Sequence, residues 1–158
     1  MSALAQCGDD AVVFRSVKHD KDQFPRDAAK PLPGAIRLTE DDIEDGRLRG
    51  TPPLLSTWQQ GLTTLSQSHL IRGISPTDDN YKTFRWRAKD VRQIPAVAVG
   101  ANLDALRDPR PSTDGPGAEG HCGIAGLIEG YERPKGPAKH RYKAVQVDLV
   151  GCCEPYDE

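Results

Sequence analysis

Residues Lys82 to Ala88 read KTFRWRA. Phe84, Trp86 and Ala88 fall at one parity, and Thr83, Arg85 and Arg87 at the other. Side chains on a strand point alternately to opposite faces, so this spacing predicts a half-buried strand with a basic outer face. Such a strand needs a sheet. AVVFRSV at Ala11 to Val17 and LLSTW at Leu54 to Trp58 supply the β-branched and aromatic runs of two more strands. AVAVG at Ala96 to Gly100, introduced by Pro95, reads as another.

Helical signals lie between these runs. Thr39 is placed as an N-cap, with Asp42 at the third helical position and Glu40 and Asp41 in the first turn. Leu38 and Ile43 are spaced for a hydrophobic staple, and Gly46 is read as the left-handed stop of a helix of about six residues. Thr64 and Gln67 form a capping box, with Gly73 ending that helix. Lys89 to Ile94 reads as one helical turn. At the C-terminal end Ala138, Tyr142, Val145 and Leu149 follow a helical stripe, while Val145, Val147 and Leu149 also alternate as a strand would. The helix is preferred there, although Lys139, Arg141 and Lys143 sit against its dipole.

The remainder is loop. The chain has 15 glycines and 13 prolines in 158 residues, above the usual shares of about 7% and 5%. Prolines crowd Pro25 to Pro33 inside the long polar stretch His19 to Gly34, and Asp108 to Gly120 is nearly all loop formers. This excess rules out a helical bundle or coiled coil. The expected fold is a single α+β domain over residues 1–158, with a small mixed or antiparallel sheet, a few short helices and long Pro/Gly-rich loops. Residues 151–158 are expected to form a loose tail.

The formal charge is −2, with 21 Lys+Arg against 23 Asp+Glu, far from the basic footprint of a nucleic-acid binder. No apolar run is long enough to cross a membrane, and the first ten residues lack the basic and apolar regions of a secretory signal. Cys7, Cys122, Cys152 and Cys153 have no zinc spacing and include an adjacent pair poorly placed to bridge. Free thiols in a reducing cytoplasm are the expectation, with no metal and no cofactor.

Candidate chemistry concentrates in GPGAEGHCGIAGL, Gly115 to Leu127. Glycines let a ligand approach the main chain and successive N–H groups can cradle an anion. Within it Gly120, His121 and Gly123 are candidate ligand contacts, and His121 a candidate general base. A nucleophilic Cys122, or zinc held by His121, Cys122 and the Cys152/Cys153 pair, are lesser alternatives. Arg15 lies in a strand, where an inward-facing guanidinium would mark an anion site. Arg85 and Arg87, on the outer face of their strand, are candidate partner contacts. The acidic stretch Glu40 to Asp45 is a possible counterpart, within the chain or on a partner.

The strand arginine Arg15, followed by Ser56 and Thr57 in a later strand, resembles the order found in arginine-serine-glutamate ADP-ribosyltransferases. Their closing E-x-E has no counterpart in this chain. The wider order of FRSV, LLSTW, AVAVG, DPRP and HCGIAGL, Phe14 to Leu127, is similar to a broad set of small stand-alone prokaryotic proteins without an assigned activity. That resemblance implies a bacterial cytoplasmic origin and a C-terminal helix.

Two expectations follow. The first is a non-enzymatic interaction or accessory module of a prokaryotic multi-gene system, with a protein partner and neither nucleic acid nor membrane. The alternative is a small anion- or nucleotide-binding, ADP-ribosyltransferase-like enzyme, whose pocket at Gly115 to Gly126 holds His121 and Arg15 with Ser56 as a further contact. The first is preferred, because no catalytic constellation in the sequence has the residue types and spacing its chemistry needs.

Overall fold

The computed structural model describes residues 4–110 and 115–158. Six strands form one antiparallel sheet: β1 (Val12–Lys18), β2 (Leu54–Gln59), β3 (Tyr81–Arg87), β4 (Asp104–Arg107), β5 (His121–Ala125) and β6 (Glu154–Pro155). Their order is β4-β5-β2-β1-β3-β6, and every neighbouring pair runs antiparallel. The helices are α1 (Glu40–Arg49), α2 (Leu65–Arg72), α3 (Ala88–Val91) and α4 (Pro137–Cys152). The expected α+β class is therefore observed. No helix among the described residues is long and apolar enough to cross a membrane.

Alternation on the strands divides the core. Val13, Val17, Leu55, Phe84, Trp86, Ala105, Cys122 and Ile124 face α1, α3 and α4 and meet Ile43, Val91, Val145 and Leu149 there. The Trp86 indole N–H donates to the Leu149 carbonyl at 2.8 Å, so the largest core side chain has its one polar group satisfied. On the opposite face Phe14, Trp58 and Tyr156 form a smaller cluster, covered by Leu65 and Ile71 of α2.

Both threonine caps form as the residue spacing requires. Thr39 accepts from the Asp42 amide while Asp42 accepts from the Thr39 amide, and Thr64 and Gln67 exchange the same pair of bonds. The stop of α1 differs from expectation: the helix continues through Gly46 and ends at Gly50, with φ of 70°. Gly46 serves another purpose. A β-carbon there would lie 3.0 Å from the Thr51 carbonyl and the Pro53 nitrogen, so its missing side chain lets the returning Pro52–Pro53 segment pass against the helix.

AVAVG is not a strand. The chain turns back on itself through bonds from the Ala96 amide to the Ala101 carbonyl and from the Ala101 amide to the Ala98 carbonyl, leaving Val99 83% exposed. The strand of this region is β4, a few residues later. HCGIA, expected to be loop, is β5, buried at every position. The C-terminal segment is the helix α4, and the last eight residues are docked. β6 pairs with β3, and Tyr156 stacks on Phe14 with ring centroids 4.6 Å apart.

The seams of the sheet are unequal. β1 and β3 pair at seven positions, from Val12↔Arg87 to Lys18↔Tyr81, and β2 and β5 at five. β1 and β2 pair only at Val13↔Gln59 and Phe14↔Trp58. Beyond Phe14 they part, so the sheet consists of two three-stranded halves joined at one end.

Candidate functional site

Where β1 and β2 separate, carbonyls that a ladder would have bonded are taken by arginines. Arg15 Nη1 donates to the Ser56 carbonyl at 2.8 Å. Arg72 Nη1, from the end of α2, donates to the Ser16 carbonyl at 2.9 Å. The Ser16 hydroxyl lies 2.8 Å from His69 Nε2 and 2.7 Å from the Thr83 hydroxyl. The Arg72 guanidinium also sits 5.7 Å from the Tyr81 ring centroid, within cation–π range.

Of these residues Arg15, Ser16, Arg72 and Tyr81 border a cavity of about 520 Å³, a wedge beside β1 whose lining also includes Lys18 and Arg37. That volume suits a small ligand. Among the described residues none of these four cations is in an ion pair. The one carboxylate in the lining, Asp20, accepts from the amides of Asp22 and Gln23 in its own turn. Burial, with the nearby charge of Arg72, pulls the Arg15 guanidinium down to about 10. The charged form is therefore uncomfortable there, and an anion entering the wedge would relieve it. Burial first, and Arg72 second, also lower the His69 imidazole, which favours its neutral form near pH 7.

Arg15 and His121 do not line this cavity together. Register puts Arg15 opposite Phe84, on the face of α4, and His121 opposite Trp58, on the face of α2. Ser56 is the link between them. Its carbonyl holds Arg15, while its hydroxyl lies 2.7 Å from His121 Nε2. The Trp58 ring, edge-on to the imidazole at 4.8 Å, fixes the plane of His121.

The glycine segment has become packing rather than an open cradle. A β-carbon on Gly120 would lie 1.9 Å from the Thr63 hydroxyl, and one on Gly123 would lie 2.4 Å from Leu54 Cβ. Both glycines are buried under those neighbours. Part of the loop before them, residues 111–114, lies outside the described residues. Cys122 points to the face opposite His121 and meets Cys7, sulfur to sulfur at 3.5 Å, so the two neighbours cannot ligate one zinc ion. All four cysteines are free thiols.

Of the partner candidates, Arg85 is bonded to Glu154 at 2.9 Å, and Arg87 is exposed. The acidic stretch does not meet this basic strand: Glu40 pairs with Arg133, and Asp45 with Arg49 and Arg110. His69, which its place near the end of a helix marks as a structural or surface residue, is not among the sequence candidates, nor are Arg72 and Arg37. A signal existed for two of them, since His69 and Arg72 are three residues apart and share one face of α2. No family model, no curated protein and no solved structure matches this chain.

Proposed function

We propose that the protein binds an anionic, nucleotide-type ligand in the wedge beside β1, walled by the end of α2, Tyr81 and the loops 19–23 and 34–39. The observation that carries this reading is the convergence of Arg15, Arg37, Arg72 and Lys18 on one cavity, none of them ion-paired among the described residues. Guanidinium forks suit phosphate oxygens, and Tyr81 offers a ring at the wall. The resemblance of Arg15 and Ser56–Thr57 to ADP-ribosyltransferases supports the same ligand class, because that arginine grips the main chain of that serine. The Ser56 hydroxyl meets His121 and not a carboxylate. The site therefore supports ligand binding and not ADP-ribose transfer. The accessory-module reading has less behind it, since Arg85 is occupied by Glu154.

Calorimetric titration with ADP-ribose and with inorganic pyrophosphate tests the proposal. Binding is expected to weaken at least about tenfold in Arg15→Met or Arg72→Ala, each charge-assisted bond contributing about 1.5–3 kcal/mol. It should also fall as salt is raised. No binding of either probe at millimolar concentration, or equal binding by both variants, would overturn it.

A further inference from the structure

We propose that Ser56, His121 and Asp108 form a nucleophilic relay, with Ser56 as an acyl-accepting nucleophile toward carboxylic esters. This activity goes beyond ligand binding in the wedge and does not depend on it. In the sequence Ser56 and His121 are candidate ligand contacts, and Asp108 is only the first residue of a loop. The fold joins them from β2, β5 and the residue that follows β4.

The geometry has the order such chemistry needs. Ser56 Oγ is 2.7 Å from His121 Nε2. On the other side of the ring, His121 Nδ1 is 3.0 Å from the Asp108 carbonyl and 3.2 Å from Asp108 Oδ2. Asp108 is 1% exposed. Burial opposes its ionisation, but hydrogen bonds from His121 and Arg49, with the charge of Arg110, outweigh that and hold the carboxyl far below the usual range. Arg49 Nη1 donates to Oδ2 at 3.0 Å and Nη2 donates to Oδ1. A buried carboxylate fixed at both oxygens is a rigid orienting group.

The tautomer follows from counting partners. His121 Nδ1 faces two acceptors belonging to Asp108, one of them ionised, and one donor, Arg110 Nε at 3.2 Å. The two acceptors favour a hydrogen on Nδ1. Nε2 is then bare and accepts from the Ser56 hydroxyl, the arrangement of a general base poised to activate a serine. Ser56 is half-buried rather than sealed, and Arg15 on its own carbonyl sets a positive charge beside it. Among the described residues the other charged groups around the relay are Arg49 and Asp45 from α1 and Arg110 from the loop after β4, which are ion-paired among themselves and with Asp108.

The step balances without an added oxidant or metal. Ser56 Oγ attacks the ester carbonyl carbon as its proton passes to His121 Nε2. The carbon–oxygen bond to the leaving group breaks, and the alcohol departs with that proton. Water then attacks the acyl-serine, gives a proton to His121, and releases the acid as Ser56 recovers its hydrogen. Asp108 touches no substrate in this scheme; it positions the ring and carries the counter-charge.

A fluorophosphonate probe tests the relay on the full chain, with no nucleotide added. The serine oxygen bonds to phosphorus, fluoride leaves, and peptide mass mapping locates the adduct. The expected result is a single adduct at Ser56, absent in Ser56→Ala and slower by about 100-fold or more in His121→Gln. In Asp108→Asn the pH profile of labelling should move to lower pH, because the imidazolium loses its buried counter-charge; a merely structural aspartate would leave that profile in place. Should either buried variant fail to fold, the wild type still decides. Labelling confined to Ser56 and lost in urea supports the relay. No adduct at Ser56, or equal labelling spread over several hydroxyls, overturns it. Neither result bears on binding of ADP-ribose in the wedge.

Discussion

The two seams flanking β1 make opposite use of the same strand. Toward β3, the register is unbroken from Val12↔Arg87 to Lys18↔Tyr81. Toward β2, it stops after Phe14↔Trp58, and side chains of Arg15 and Arg72 replace ladder bonds at Ser56 and Ser16. A buried carbonyl without a partner costs about 1–3 kcal/mol, so a sheet that opens must supply donors from elsewhere. Arginine supplies them and brings positive charge with it. The closed seam contributes stability, while the open seam gives up some of it to make a charged cavity.

That contrast can be broken most sharply at the joined end. Phe14 is fully buried and stacks on Tyr156 where β1 and β2 still pair. Phe14→Ala is expected to lose about 3–5 kcal/mol in denaturant unfolding, and a loss under 1 kcal/mol would mean that the two half-sheets hold without it.

Asp108 provides the next largest effect and carries a pH sign. Its carboxyl is depressed in the folded chain, so its contribution is present above the ordinary carboxylate value of about 3.9. It is lost as pH falls from there through the lower folded value. Asp108→Asn should cost about 3 kcal/mol at pH 7, because the charge-assisted bonds from Arg49 and His121 are lost while Arg49 keeps Asp45, each such bond contributing about 1.5–3 kcal/mol. It should also flatten the loss of stability in acid, read by thermal melts between pH 5 and 2 as an order-of-magnitude window.

Arg72→Ala probes the open seam directly. It removes the donor to the Ser16 carbonyl and should cost about 1.5–3 kcal/mol, less than the Phe14 change, because water can enter the wedge and bond the freed carbonyl. A cost equal to that of Phe14→Ala would make the open seam as structural as the closed end. The smallest expected effect is a gain. The Thr57 hydroxyl, next to Ser56, is buried and has no hydrogen-bond partner among the described residues. Thr57→Val should therefore raise stability by about 1 kcal/mol in the same unfolding assay.

Much of the fold was legible in short stretches. The capping boxes at Thr39 and Thr64, the parity of Phe84 and Trp86, and the helical stripe ending at Leu149 all act within a few residues, so local spacing sufficed. Three elements were not. Gly46 looks like a helix stop until Pro53 is known to lie against it. AVAVG is apolar enough for a strand, yet Gly100 turns it. HCGIA has little β-branched content and becomes a strand because β2 and β4 pair with it on both sides.

The site divides in the same way. Residue types alone marked Arg15, Ser56 and His121 as capable of gripping anions or moving protons, and the count of glycines and prolines announced a loop-rich α+β chain. Which of those residues meet was decided by the sheet. A one-residue step along β1 or β5 turns a side chain to the other face, so Arg15 and His121, and likewise His121 and Cys122, were parted by parity. Ser56 gained His121 through its hydroxyl and Arg15 through its carbonyl, and Asp108 was brought in across a break in sequence that no local spacing records. Local bonding is written in neighbouring residues, but a site built across strands depends on register, and register is set only when the whole sheet closes over its core.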